Sequence, residues 1–304
     1  MKILLTGGTG FIGRPLLKAL LEARHEVILL SRQANPINVA PGTKTVFWNG
    51  KTQGEWVHQV ENIEAVINLA GEPLVKNRWS NSVKQDLRDS RIESTELLVT
   101  TIEDGFMKPH ILINASAVGY YGNVPEGEVT EESPNGKGFL SELCRDWEAV
   151  AREAETFGVR VILLRTGIVL SKNGGALKMM LPPFRFFVGG PLGSGLQWFP
   201  WIHWKDERDA ILFALTNEKI RGPVNLAAPG GVCLKEFCKI LGQTLHRPSW
   251  IPVPAFILRL LLGEMSDVLL EGQRAYPKKL IEAGYQFAYP TLKNALEDIL
   301  GEAL

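Results

Sequence analysis

Cysteine is scarce in this chain: there are three, Cys144, Cys233 and Cys238. No two stand as CxxC, and an odd number makes a poor disulfide framework. A reducing, cytoplasmic setting is therefore expected. The five histidines, His25, His58, His110, His203 and His246, are scattered. None falls near cysteine or carboxylates at metal-ligand spacing, so no metal site is expected. Neither sign of charge is in excess, since Lys+Arg and Asp+Glu each total 33. Zero net charge gives nucleic acid no basic field and a membrane surface no polybasic patch. A long unbroken apolar run is missing too. The most apolar region, residues 253–270, is interrupted by Pro254, Arg259, Glu264 and Asp267. It does not read as a membrane span. The first strand begins so close to Met1 that no signal peptide is expected. There is no internal repeat and no low-complexity tract.

What is present begins at once. Lys2-Ile3-Leu4-Leu5 reads as a buried strand. It breaks into Thr6-Gly7-Gly8-Thr9-Gly10-Phe11-Ile12-Gly13. An apolar pattern at helical spacing follows from Arg14, with Pro15 in the first turn, where a missing N–H costs little. Glu26-Val27-Ile28-Leu29-Leu30 is a second strand. A GxGxxG pattern between strand and helix is informative because of that context. Gly8 and Gly10 let the backbone turn tightly and approach a pyrophosphate. Gly13 lets helix and strand pack. The helix N-terminus then offers N–H groups and partial positive charge to phosphates. After the second strand, an acid would suit the ribose 2′-hydroxyl of NAD. Ser31-Arg32 stands there instead, and a guanidinium suits a 2′-phosphate, so NADP(H) is the expected cofactor.

Strands alternate with helices through the next part of the chain. Strands are expected at residues 46–48, 63–69, 111–115 and 159–164, with helices at 80–102 and 139–157. This pattern demands an α/β fold, a Rossmann-type doubly wound parallel sheet. Ligands in such sheets sit at the carboxyl ends of strands. Small Ala70 and Gly71 leave room there for a flat adenine or ribose edge. Ser116, Tyr120 and Tyr121 follow the strand ending at Ala115, and are the best catalytic candidates. From residue 171 to 204 the texture changes. Gly and Pro are dense, and Phe184, Phe186, Phe187, Trp198, Phe199, Trp201 and Trp204 crowd together. A long loop of this kind either walls a substrate pocket or supplies a lobe core. Asp206 is a candidate N-cap for a helix running to Asn217. With 304 residues there is room for a large domain and a smaller lobe. Residues 1–170 are expected to form the nucleotide-binding domain, with 205–228 returning to it. Residues 171–204 and 229–304 are expected to form a small mixed C-terminal lobe for substrate.

Together these residues resemble an extended short-chain dehydrogenase/reductase. The closer resemblance is to the atypical "epimerase family" of that superfamily, with its C-terminal domain of unknown function. It is carried by the residues 6–13 turn, Asn68-Leu69-Ala70-Gly71, Gly-Tyr-Tyr-Gly at 119–122, Trp147-Glu148 and the Arg165–Val169 strand end. Residues 181–185, 189–195, Trp201-Ile202-His203 and Glu271-Gly272-Gln273-Arg274 extend it over essentially the whole chain. The resemblance implies a Rossmann-type fold, NADP binding and an undefined oxidoreductase or epimerase activity on a small molecule. It puts the cofactor on Gly7, Thr9, Gly10, Phe11, Ile12 and Gly13 of the turn, and on Ser31 and Arg32. It adds Leu69, Ala70, Gly71 and Glu72 at a strand end, then Arg91 and Val169. A homodimer is compatible with this but not specified. Arg91 departs from the family pattern, where an asparagine is usual. The larger departure is a missing YxxxK, whose tyrosine acts as acid/base and whose lysine lowers the phenol's pKa. That frame reads Phe139-Leu140-Ser141-Glu142-Leu143. Two readings follow: an NADP(H)-dependent enzyme whose acid is Tyr120 or Tyr121 with Ser116 orienting a carbonyl, or a non-catalytic NADP(H) sensor. In either, Arg91 or the cofactor ring is the expected cation beside the phenols.

Overall fold

The structure is a computed structural model that describes residues 1–37, 39–75 and 78–301. The end of the expected lobe, residues 302–304, lies outside the described residues. β1 (Lys2–Thr6) runs through the Gly-rich turn into α1 (Gly13–Glu22) and on to β2 (Glu26–Ser31) and β3 (Lys44–Phe47). β4 (Ala65–Asn68), α2 (Asn81–Glu103) and β5 (Ile111–Ala117) follow, then β6 (Val124–Val129), α3 (Phe139–Arg152) and β7 (Arg160–Thr166). β8 (Ile168–Leu170), α4 (Gly175–Arg185), β9 (Trp198–Phe199), β10 (Trp201–His203), α5 (Trp204–Thr216) and β11 (Gly222–Leu226) come next. The chain closes with β12 (Val232–Cys233), α6 (Leu234–Thr244), α7 (Ala255–Leu262), α8 (Asp267–Leu270), β13 (Gln273–Ala275), α9 (Lys278–Glu282) and α10 (Leu292–Gly301).

Seven strands form one parallel sheet in the order β11-β7-β5-β4-β1-β2-β3. Strands covered on both faces need apolar residues at every position, and these have them. Ile3, Leu4 and Leu5 are fully buried, as are Ile162, Leu163 and Leu164. One face packs under α1 and α5 through Leu16, Leu17, Leu20, Ala210 and Ile211. The other packs under α2 and α3 through Leu98, Ile102 and Ala151. The chain moves outward from β1 to β3, then returns and moves the other way from β4. The carboxyl ends of β1 and β4 therefore flank the switch point where such sheets take ligands.

At Gly167 the chain leaves the sheet. A Cβ there would lie 2.3 Å from the Pro200 carbonyl, so only glycine lets β8 swing across to pair with β10. The segment 171–204 is not one loop. Its Gly and Pro density conceals α4, with Pro182 and Pro183 inside the helix, and the short β9 and β10. Phe184, Phe199 and Trp201 are core residues of the C-terminal lobe, packed with Phe237, Leu241 and Leu296. Phe186 and Phe187 point to solvent, and no single aromatic wall forms. Asp206 is not a cap. α5 starts two residues earlier, and the His203 Nδ1 caps it by accepting from the Lys205 N–H at 3.1 Å. Asp206 turns inward and accepts the Ala288 and Tyr289 N–H groups at 2.8 and 2.9 Å, pinning the chain before α10.

Candidate functional site

The turn after β1 is built for close approach. Gly7 has φ +68°, and a Cβ on it would meet the Leu69 carbonyl at 2.5 Å. A Cβ on Gly13 would lie 2.2 Å from the Gly7 carbonyl, so helix and turn touch there. Gly10 differs. It is exposed, and a Cβ on it would contact only the Gly7 carbonyl, at 3.1 Å. Its missing side chain leaves an open hollow in front of α1. The first turn of α1 carries no acidic residue, and no side chain caps it. The Arg14 and Leu16 N–H groups are taken by the Gly10 and Ile12 carbonyls at 3.1 and 3.3 Å and Pro15 has none, so what α1 brings beside that hollow is the positive end of its dipole, which suits a pyrophosphate. Thr9 lines the turn between Gly8 and Gly10. Phe11 packs its ring against Gly174 and Gly175, where Val169 also comes close. Ile12 joins the core beneath α1.

Arg32, at the end of β2, reaches the strand end of β4. Its Nη2 donates to the Glu72 carboxylate at 2.8 Å while the side chain stays 65% exposed. Ser31 is buried, and its Oγ accepts the Gln33 N–H at 3.0 Å. Arg91 lies against Gly71. It donates to the Leu87 and Glu72 carbonyls at 3.0 and 2.9 Å and lies over the Trp147 ring. The turn, Ser31 and Arg32, Leu69 to Glu72, and Arg91 thus form one continuous edge. A buried chain of hydrogen bonds sets its strand ends: Thr6 donates to Asn68, and Asn68 to Asn114 and Thr95. Trp147 donates its indole N–H to Thr95 at 2.8 Å.

The catalytic candidates fall in a second cluster. Ser116 is buried and donates its hydroxyl to Glu148 at 2.7 Å. Glu148 holds Arg165 through two bonds of 2.8 Å, from Nε and Nη2, with both side chains under 5% exposed. Arg165 also donates to the Tyr121 hydroxyl at 3.0 Å. Tyr121 donates in turn to Asn225 at 2.6 Å. Burial pushes the Tyr121 phenol up to about 12 despite the facing guanidinium. Tyr120 is placed differently. The Arg165 guanidinium lies 3.5 Å from its ring centroid, and its hydroxyl makes no hydrogen bond among the described residues. The cation beside the phenols is therefore Arg165, not Arg91, whose guanidinium is held by carbonyls. Glu131 lies behind, accepting the Asn225 and Lys279 N–H groups with one carboxylate oxygen while the other has no partner. Beside Tyr121 a recess of about 660 Å³ opens, lined by Asn123, Asn135, Lys137, Asp267 and Glu271. In the YxxxK frame, Phe139 packs edge-on against Trp79, and Leu143 is buried.

Reading from the sequence missed Glu148, Arg165, Asn225 and Glu131 as one assembly. The signals were Trp147-Glu148 and the Arg165 strand end, which carry the family resemblance, and the placement of Asn225 and Glu131 near strand ends. It also missed Glu207, wholly buried on α5, which accepts from Thr166 with one oxygen at 2.9 Å and leaves the other unpartnered. Burial pushes its carboxyl up to about 8. Among the described residues no cluster could hold a metal, and no helix is long and apolar enough to cross a membrane.

Sheet order, switch point and uncapped Gly-rich turn define a Rossmann-type dinucleotide-binding fold. Comparison with known proteins narrows the class. The chain belongs to the NAD dependent epimerase/dehydratase family, whose model matches residues 3–227. A domain of unknown function, DUF1731, matches residues 253–299. An epimerase family protein SDR39U1 homolog from the Arabidopsis thaliana chloroplast is 44% identical over 99% of this chain and 87% of its own length. An epimerase family protein of Mycobacterium bovis is 42% identical, over 97% of this chain and 96% of its own. Among solved structures, human SDR39U1 with NADPH matches with a TM-score of 0.89 at 35% identity, covering all of both chains.

Proposed function

We propose that this protein is an NADP(H)-dependent oxidoreductase or epimerase-type enzyme acting on a small carbonyl or sugar-like substrate. The observation that carries the cofactor half is the Gly10 hollow before the uncapped N-terminus of α1, with Arg32 at the adjoining strand end. The likeness to a protein solved with NADPH supports it. Gly7, Thr9, Gly10, Phe11, Ile12 and Gly13 hold the pyrophosphate in this reading. Arg32 meets the 2′-phosphate in place of Glu72. Ser31, Leu69 to Gly71 and Arg91 shape the adenosine side, and Val169 the far side through Phe11. When bound, the nicotinamide supplies or accepts hydride.

In the chemistry, Tyr120 is the residue that exchanges a proton with the substrate. It is the phenol whose hydroxyl is not already engaged, and its ring rests on Arg165. Ser116 and Tyr121 hold Glu148 and Arg165 in place rather than meeting the substrate. Residues 171–204 and 229–304 form the substrate lobe and contribute Asp267 and Glu271 to the recess beside Tyr121. The test follows NADPH absorbance against a panel of carbonyl compounds. Slow oxidation is expected, with Tyr120→Phe lowering turnover about a hundredfold or more. A second reading, a non-catalytic NADP(H) sensor, is favoured by Phe139 and Leu143 in the YxxxK frame. Tight NADPH binding with no oxidation across the panel would select it.

A further inference from the structure

Two stretches of this chain, residues 156–205 and 237–263, contain no aspartate or glutamate. The fold lays them side by side. The Trp250 N–H donates to the Gly189 carbonyl at 3.1 Å, and its indole N–H to the Phe187 carbonyl at 2.9 Å. Val253 and Pro191 continue the pairing, and Leu192 bridges Val253. The strip so formed is apolar where it meets solvent. Phe186 is 77% exposed, Trp250 69%, and Phe187, Val188 and Ile251 more than 40%. α7 follows two residues later with one buried residue, Leu258, and presents Phe256 and Leu260 at 70% and 72% exposure. A soluble monomer rarely shows so many large apolar side chains together.

The charges on this strip have one sign. Lys178, Arg185, Lys239 and Arg247 are exposed and form no ion pair among the described residues. Arg247 lies 4.7 Å from the Phe187 ring centroid, which ties cation to apolar strip. Beside it, Lys239, Gln243, His246, Arg247 and Ser249 line an open groove of about 500 Å³, with Lys239 and Arg247 as its charged side chains. Zero net charge is a sum over the chain and does not forbid this segregation. We infer that this face docks on an anionic lipid surface, with Trp250, Phe186 and Phe187 entering the headgroup boundary and the cations meeting lipid phosphates. Aromatic and aliphatic side chains rimmed by Lys and Arg, with no carboxylate in either stretch and only Glu236 exposed one turn before Lys239, suit that interface and suit a partner protein's mixed surface less well.

Flotation of the full chain with vesicles tests this. One set is phosphatidylcholine alone; the other is phosphatidylcholine and phosphatidylglycerol in equal parts. The chain is expected to float with the mixed vesicles and not with the neutral ones, and to be released by high salt. Arg185→Glu with Arg247→Glu should weaken binding at least about tenfold, two basic contacts being lost. Trp250→Ser should weaken it in a way that salt does not mimic. All these positions are exposed, and retained NADPH binding and circular dichroism check the fold of each variant. Equal binding to both vesicle types, or to neither, would overturn the inference. So would competition by millimolar inorganic phosphate that matches the loss in high salt, which marks a site for a free anion. A concentration-dependent dimer abolished by Trp250→Ser without lipid would assign the face to a second copy instead.

Discussion

Arg32 stands where the proposed cofactor meets its first competitor. Its guanidinium is paired with Glu72, and an exposed pair of this kind is worth about 0–1 kcal/mol. A 2′-phosphate, carrying more charge and matching the guanidinium fork, displaces it at small cost. Arg32→Ala should therefore lower NADPH affinity about tenfold to a hundredfold, with NADH little changed. Glu72→Gln should raise NADPH affinity by up to about fivefold. Calorimetric titration of the three proteins reads both effects. Glu207 gives a prediction of another kind. A raised carboxyl keeps its proton in the folded chain at pH values where the unfolded chain has lost it. Stability should thus fall as pH rises from about 4.5, the ordinary value, to about 8. Glu207→Gln should raise the melting temperature more at pH 9 than at pH 5, and an equal change at both would refute the assignment. Arg32 was legible because a strand end is local. Glu207 was not, because its burial depends on how α5 lies against Thr166, far away in sequence.

At the scale of elements, Gly10 and Gly13 of the turn divide by what surrounds them. Gly13→Ala places a Cβ 2.2 Å from the Gly7 carbonyl, so the turn or α1 must shift, and a loss of stability of about 1–3 kcal/mol is expected. Gly10 faces the hollow. Gly10→Val should abolish NADPH binding while leaving the melting temperature within a few degrees, as measured by thermal denaturation with and without ligand. If Gly10→Val unfolds the protein and Gly13→Ala does not, the division is wrong. The β1-α1-β2 unit was readable because parallel strands buried on both faces are plain apolar runs. The segment 171–204 was harder, since Gly and Pro count as loop signals locally and α4 is held by packing around Leu177, Leu181 and Phe184. Asp206 failed as a cap for a similar reason. Its type fits an N-cap, but its carboxylate is claimed by the backbone of Ala288 and Tyr289.

For the molecule as a whole, the buried pair of Glu148 and Arg165 joins β5, α3 and β7, and through Tyr121 and Asn225 it reaches β11. Removing one member leaves a buried charge unpaired, so Glu148→Gln should cost about 3–5 kcal/mol of stability by denaturant unfolding. A loss below about 1 kcal/mol would mean that solvent reaches the pair. The overall sheet was legible in the alternation of strand and helix, and the turn in its glycines. The assembly behind the phenols was not, because it draws single residues from positions 116, 121, 148, 165 and 225. Cofactor choice remains the central claim, and one measurement reaches it directly. Isothermal titration of the full chain with NADPH and with NADH should give NADPH the tighter binding by about tenfold to a hundredfold. Equal affinities, or tighter NADH, would contradict the account.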